Sequence, residues 1–215
     1  MKIKSFEFNL FGVNTYVVWN ESTHEAAVID PGMENVREEA IFTDFISDNN
    51  LKITHLINTH LHIDHTFGND FIEQHYNVGL EACDDDDFLG KARAQQAQMF
   101  HLRISPLSPL QISVHLRESD KISIGDEYLK VIEVPGHSPG SIVLYSPVDH
   151  FLISGDVLFD GSIGRTDLPG GSQRQLIDGI RNKLLILPDD TVVYPGHGPS
   201  TTIGYERLHN PYLFG

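Results

Sequence analysis

Apolar positions alternate with a period near two in three short N-terminal runs, residues 3–8, 15–19 and 26–29, the pattern of strands with covered faces. The third run stops at Asp30-Pro31-Gly32, a turn signal. The period then lengthens: Val36, Ala40, Ile41, Phe45 and Ile46 fall near one face of a helix. An apolar run at 53–57 predicts a buried strand, and 67–76 a helix. Four aspartates at 84–87 precede helix-forming composition at 88–102. Negative side chains suit the first turn of a helix, where the dipole is positive, so a solvated helix start is expected there rather than a cation site. The second half repeats the alternation, with strands at 128–134, 141–145, 151–154 and 191–194. A helix is expected near 173–187 and a short one from Thr201.

No low-complexity segment or Pro/Ser-rich linker divides this pattern, and one domain over residues 1–215 is expected. A chain of this size buries roughly 70% of its unfolded surface, enough for a large core. Cys83 is the one cysteine, so no intrachain disulfide forms, and it is expected to be a small buried side chain. The N-terminal apolar stretch is broken by Lys4, Glu7 and Asn9. That excludes a signal peptide or span there and makes a cytoplasmic protein without membrane contact the expectation. The net charge of −15, with no Lys/Arg-rich stripe to offset it, excludes nucleic acid as the expected partner.

Candidate chemistry changes the picture at one decapeptide. Residues 59–68 read THLHIDHTFG and hold four metal-capable side chains, His60, His62, Asp64 and His65. Three more follow β-type runs elsewhere. The run ending at Val134 enters Pro135-Gly136-His137, the run ending at Tyr194 enters Pro195-Gly196-His197, and the run ending at Ser154 enters Gly155-Asp156. Each apolar strand anchors the chain, a sharp turn follows, and a donor sits at the turn. Side chains two apart in an extended loop point the same way. His60 and His62 therefore share one cation with His137, and Asp64 and His65 reach a second with His197. Asp156, with two carboxylate oxygens, bridges them around a water. Imidazole and carboxylate suit zinc, with iron or manganese as alternatives. The other histidines, at 24, 55, 75, 101, 115, 150 and 209, are read as ordinary surface or core residues.

The set H-L-H-I-D-H at 60–65 with His137, Asp156 and His197 resembles the five-part signature of the metallo-β-lactamase fold over nearly the whole chain. The resemblance implies an α+β chain folded as an αββα sandwich, two mixed β-sheets face to face with helices outside and a dinuclear site at one edge. GSIGRTDLPGGS at 161–172, LPDDTVVYPGHGPSTTIGYER at 187–207 and HNPYL at 209–213 are similar to short glyoxalase II-like hydrolases. Two departures stand out: Leu61 replaces a small residue, and the C-terminal helical domain with which longer glyoxalase II enzymes hold glutathione has no counterpart within 215 residues.

The implied reaction is hydrolysis of a thioester of the hydroxyacyl-glutathione type by a hydroxide bridging two metals, with Asp64 and Asp156 as the catalytic carboxylates. Zinc lowers the pKa of bound water to about 7. A thiolate leaving group, with a thiol pKa near 8.5, needs no strong general acid, and the sequence nominates none. Arg165 is a candidate substrate contact; the alternative is an ion pair with Asp160 or Asp167. Arg207 and His209 are expected to fasten the tail or meet a partner, and HNPYL is a candidate homodimer contact. Rival readings on the same ligands are a mononuclear-iron persulfide dioxygenase, a lactonase, and a metal-binding protein without catalysis.

Overall fold

The computed structural model describes residues 1–102 and 107–214. The expected unit 1–215 also contains 103–106 and 215, which lie outside the described residues. Strands β1 (Lys2–Phe8), β2 (Val13–Trp19) and β3 (Glu25–Ile29) lead to helix α1 (Val36–Asp48), then β4 (Lys52–Ile57), α2 (Asn69–Tyr76) and β5 (Leu80–Ala82). Helices α3 (Asp87–Lys91) and α4 (Arg93–Met99) precede β6 (Ile112–His115), β7 (Lys121–Ile124), β8 (Glu127–Glu133), β9 (Ile142–Ser146) and β10 (Phe151–Gly155). The chain closes with β11 (Leu158–Phe159), β12 (Ser162–Ile163), α5 (Gln173–Gly179), β13 (Val192–Pro195), β14 (Thr201–Thr202) and α6 (Ile203–His209).

The first six strands form one sheet in sequence order, and β14-β13-β10-β9-β8-β7 form the other. Period two along the strands builds the layers. Tyr16, Val18, Ala27 and Ile29 face the second sheet and meet Leu129, Val131, Leu144 and Ile153. The intervening Val17, Ala26 and Val28 point outward onto Phe42, Ile46 and Ile72 of the helices. On the far side Val143, Leu152 and Val193 pack under Leu176, Ile180 and Ile203. The result is the α+β, αββα sandwich expected. Each fully buried aliphatic side chain contributes about 1.5–3 kcal/mol, so the inter-sheet layer holds both sheets, and the loops leaving them, in a fixed relation.

Strand direction decides where those loops emerge. β8 and β10 are both antiparallel to β9, and β13 is parallel to β10. All three therefore end at one edge of their sheet. At that edge the first sheet is tied on by Asn14 Nδ2, which donates to the carbonyls of Pro195 and Gly198 at 3.0 and 2.9 Å, and by the Tyr16 hydroxyl, which donates to Pro195 O at 2.6 Å.

Four departures from expectation are informative. The helix expected at 88–102 is two helices broken at Ala92. The helix expected at 173–187 is α-helical only through Gly179 and continues as a π-helical turn, Ile180–Leu184. The short strands β5, β6 and β7 were not anticipated; β6 presents three of its four residues to solvent and so carries no burial pattern. The largest departure is in the acidic run. Asp85 is exposed, but Asp86 is fully buried, and the solvated helix start describes only its neighbours. Among the described residues no helix is long and apolar enough to cross a membrane.

Candidate metal centre

The loop after β4 enters the sheet edge with His60, His62 and His65 buried and Asp64 partly exposed. The turns after β8, β10 and β13 bring His137, Asp156 and His197 to the same place. The Pro-Gly turns are sterically required. Gly136 has φ +138, and a Cβ there would sit 2.5 Å from the backbone nitrogen of Leu176. At Gly196 a Cβ would lie 2.2 Å from Asp156 Oδ1 and 2.7 Å from the His65 ring. Any side chain at position 196 would therefore occupy the cage itself.

Two triads form. In the first, His62 Nδ1 lies 2.8 Å and His60 Nε2 lies 3.2 Å from His137 Nε2. In the second, His65 Nε2 is 3.3 Å from His197 Nε2, and Asp64 Oδ2 is 3.7 and 3.4 Å from those two nitrogens. Asp156 Oδ2 stands between them, 3.6 Å from both His137 Nε2 and His197 Nε2, while its Oδ1 is 3.4 Å from His65 Nε2. The structure thus brings all seven side chains to one place, and a further group, Asp30 with His60 and His65, crosses the two triads.

The outer nitrogens select the tautomers. His137 Nδ1 donates to Arg165 O at 2.8 Å, His197 Nδ1 to Phe11 O at 3.0 Å, and His65 Nδ1 to Asp30 Oδ2 at 3.1 Å. Each Nδ1 then carries the proton and each Nε2 turns a lone pair inward. His62 is reversed: its Nδ1 faces the cage and its buried Nε2 has no partner. Asp156 Oδ1 is likewise buried without a hydrogen-bond donor. Lone pairs facing each other at about 3 Å repel unless a proton or cation lies between them. This donor set fits divalent metals, with His60, His62 and His137 able to hold one ion and Asp64, His65 and His197 another.

Titration behaviour divides along the same line. Burial, reinforced by the other histidines, holds His60 well below its ordinary value, and burial with His137 pulls His62 down to about 3. In the acidic half burial opposes charge and loses. His65 is raised well above its ordinary value because Asp156, Asp64 and Asp30 outweigh desolvation, and His197 is raised by Asp64 and Asp156 against the same penalty. Burial would push the Asp156 carboxyl up, but His65, His137 and His197 hold it well below the usual carboxylate range. The acidic half demands positive charge; the all-histidine half offers neutral lone pairs.

Sequence reasoning missed the supports. Asp30, read only as part of a turn, is fully buried at φ 50, a left-handed conformation that is strained for a non-glycine residue. It accepts from the Thr59 amide at 2.7 Å and the Thr59 hydroxyl at 2.6 Å as well as from His65. Asp86 joins two ligand loops: it accepts from the amides of Leu61 at 3.0 Å and Gly140 at 2.7 Å and from the Ser138 hydroxyl at 2.7 Å. Buried Arg93 donates to Asp70 Oδ2, Ser108 O and Thr66 O, and so seats α4 beside the cage. No sequence signal marks any of these three. Of the two readings of Arg165, the ion pair is formed, with both Nε and Nη2 donating to Asp167 at 2.7 Å. Arg165 nonetheless lines the cavity over the cage together with Phe11, Phe100 and Leu168. Cys83 is buried, and desolvation pushes its thiol up to about 11. Arg207 fastens the tail through Leu185 O and Leu187 O. In HNPYL, Asn210 and Leu213 are buried within the chain, leaving His209, Pro211 and Tyr212 exposed.

The sequence model of the metallo-beta-lactamase superfamily matches residues 8–197. The chain belongs to the metallo-beta-lactamase superfamily. Within that superfamily it is similar to a Haemophilus influenzae protein named hydroxyacylglutathione hydrolase GloC, 36% identical over 215 residues that cover 99% of this chain and 98% of the relative. The crystal structure of BLEG-1 B3 metallo-beta-lactamase matches with a TM-score of 0.89 at 34% identity over 100% of both chains. The crystal structure of TTHA1623 in a di-iron-bound form matches at 0.85 and 32% identity, over 98% of this chain and 100% of that one. The metallo-beta-lactamase fold is thus common to chains whose names differ, so substrate has to be argued from this site.

Proposed function

We propose that the protein is a dinuclear metal-dependent hydrolase that cleaves an acyl thioester of the hydroxyacyl-glutathione type. The carrying observation is Asp156 Oδ2, equidistant at 3.6 Å from a nitrogen of each triad. Divalent metals, zinc or iron, held by His60, His62 and His137 and by Asp64, His65 and His197, supply a nucleophile from water at neutral pH and polarise the carbonyl oxygen. Asp156 spans the two triads, and its unpartnered Oδ1 is free to accept from a water and aim it. Asp64 places carboxylate charge beside His197, opposite the all-histidine triad. In the overall step water adds to the acyl carbon and the C–S bond breaks. Sulfur leaves with the electron pair and takes up one proton of the water, and the other is released as the acid ionises, giving a carboxylate and a thiol.

The leaving group follows from what lines the cavity. Outside the cage itself, Arg165 is its one titratable lining residue among those described. An amine leaving group, which needs a proton as it departs, finds no donor there. A thiolate needs none. The relative named as a hydroxyacylglutathione hydrolase supports this reading. A second reading, opening of a β-lactam ring, is favoured by the full-length likeness to a structure titled a B3 metallo-beta-lactamase. Steady-state assays of zinc- and iron-loaded protein on lactoyl-glutathione and on a β-lactam separate the two. Thioester turnover that requires Asp156 supports the proposal; lactam turnover without thioester turnover replaces it.

A further inference from the structure

Beside the cage lies a second cavity, of about 230 Å³, to which no role has yet been assigned. Phe88, Leu89, Ala92, Met99, Phe100 and Leu168 give it an apolar wall. It abuts the cavity over the cage, because His62, Phe100 and Leu168 line both. Of its two buried polar side chains, His62 belongs to the cage and leaves Nε2 without a partner, while Gln96 is satisfied: Oε1 accepts from the Ile63 amide at 3.1 Å, and Nε2 donates to Leu89 O at 2.9 Å. Gln96 therefore presents its aliphatic stem. A bound water needs two to four polar partners, and an apolar cavity of about 150 Å³ stays dry and takes up benzene. This larger one opens to solvent past the half-exposed Phe88 and Met99, and its mostly apolar wall favours an apolar guest.

Charge points the same way. Among the described residues lining either cavity, Arg165 is the only Lys or Arg, and its guanidinium is already forked onto Asp167. The chain carries a net charge of −15. An apolar acyl group finds a shaped hole next to the reacting centre.

We infer that this cavity is the acyl subsite of the enzyme, selecting thioesters of medium-length aliphatic or aryl acids by burying the chain against α3, α4 and Leu168. The inference rests on the hydrolase reading above and deepens it by naming the acyl group. Each methylene buried stabilises the complex by enough to raise kcat/KM about fourfold.

The test uses acetyl, butyryl and hexanoyl thioesters of N-acetylcysteamine with metal-loaded protein, and calorimetric binding of the same compounds to metal-free protein. In the wild type, kcat/KM and affinity are both expected to rise about fourfold per methylene. Ala92→Trp fills the cavity, and Met99→Asp puts a charge at its half-exposed wall, where folding tolerates it. Each is expected to lower the hexanoyl-to-acetyl ratio at least tenfold, a comparison internal to each variant. A flat wild-type series with turnover overturns the subsite and leaves the hydrolase standing. Chain-length-dependent binding without turnover of any thioester overturns the hydrolase reading and supports the cavity. Neither turnover nor a binding gradient overturns both.

Discussion

The two halves of the cage are built from nearly the same side chains yet behave as opposites. His60, His62 and His137 form an all-histidine set, deeply buried, with ring nitrogens turned toward one another. Asp64, His65 and His197 form a charged set, more open to solvent, with Asp30 behind His65 adding a further carboxylate. One aspartate makes the difference. A borderline-soft ion suits the first half and a harder ion is tolerated by the second. Asp156 lies 3.6 Å from a nitrogen of each, and the proposed reaction would place a cation on either side of it.

Four changes break or sharpen that contrast. Asp156→Ala removes the carboxylate that lies 3.6 Å from a nitrogen of each half. The expected outcome is a fall in kcat of about 10³ or more, measured on lactoyl-glutathione, with near-native circular dichroism; an active variant would dissolve the coupling. Asp86→Ala leaves the Leu61 and Gly140 amides and the Ser138 hydroxyl without their acceptor. Each orphaned buried group costs about 1–3 kcal/mol, so urea unfolding is expected to show a loss of at least about 3 kcal/mol. Asp30→Asn acts directly on the acidic half through His65 Nδ1, and only through the Thr59 hydroxyl on His60 Nδ1 of the other half. Outer partners of this kind are worth about 10–100-fold in metal affinity, and competition with a chromogenic chelator is expected to show the larger loss for the ion that His65 holds.

The smallest effect lies outside the cage and serves as its control. His55 donates to Glu81 at 2.5 Å. Burial lowers its pKa, but the bond to Glu81 outweighs that and leaves it raised. A raised histidine stabilises fully below its unfolded value of about 6.5 and loses that contribution as pH rises through its folded value. The stability difference between wild type and His55→Gln is therefore expected to be about 1 kcal/mol near pH 5.5 and to shrink by pH 9. A difference that grows with pH contradicts the ion pair.

What could be read from the chain, and what could not, follows from the range of the signals. The seven donors were legible because each sits just past a strand, where apolar alternation gives way to Pro, Gly or Asp. Long strands such as β2 and β8 were legible because both faces are covered. Three-to-four-residue strands such as β5 and β6 lack the length to show a period. Asp86 and Arg93 were misread or missed because burial of a charge depends on partners 25 to 54 residues away for Asp86 and 15 to 27 for Arg93. The apolar cavity was invisible for the same reason: Phe88, Met99 and Leu168 meet only once α4 is seated by Arg93.

The central claim is that two unlike triads each hold a cation, joined by Asp156. Anomalous diffraction from crystals grown with zinc or iron tests it most directly. Two peaks per chain are expected, one about 2.0–2.2 Å from the His60, His62 and His137 donors and the other at the same range from those of Asp64, His65 and His197, with Asp156 touching both. A single peak, or two peaks with Asp156 bound to neither, would contradict it.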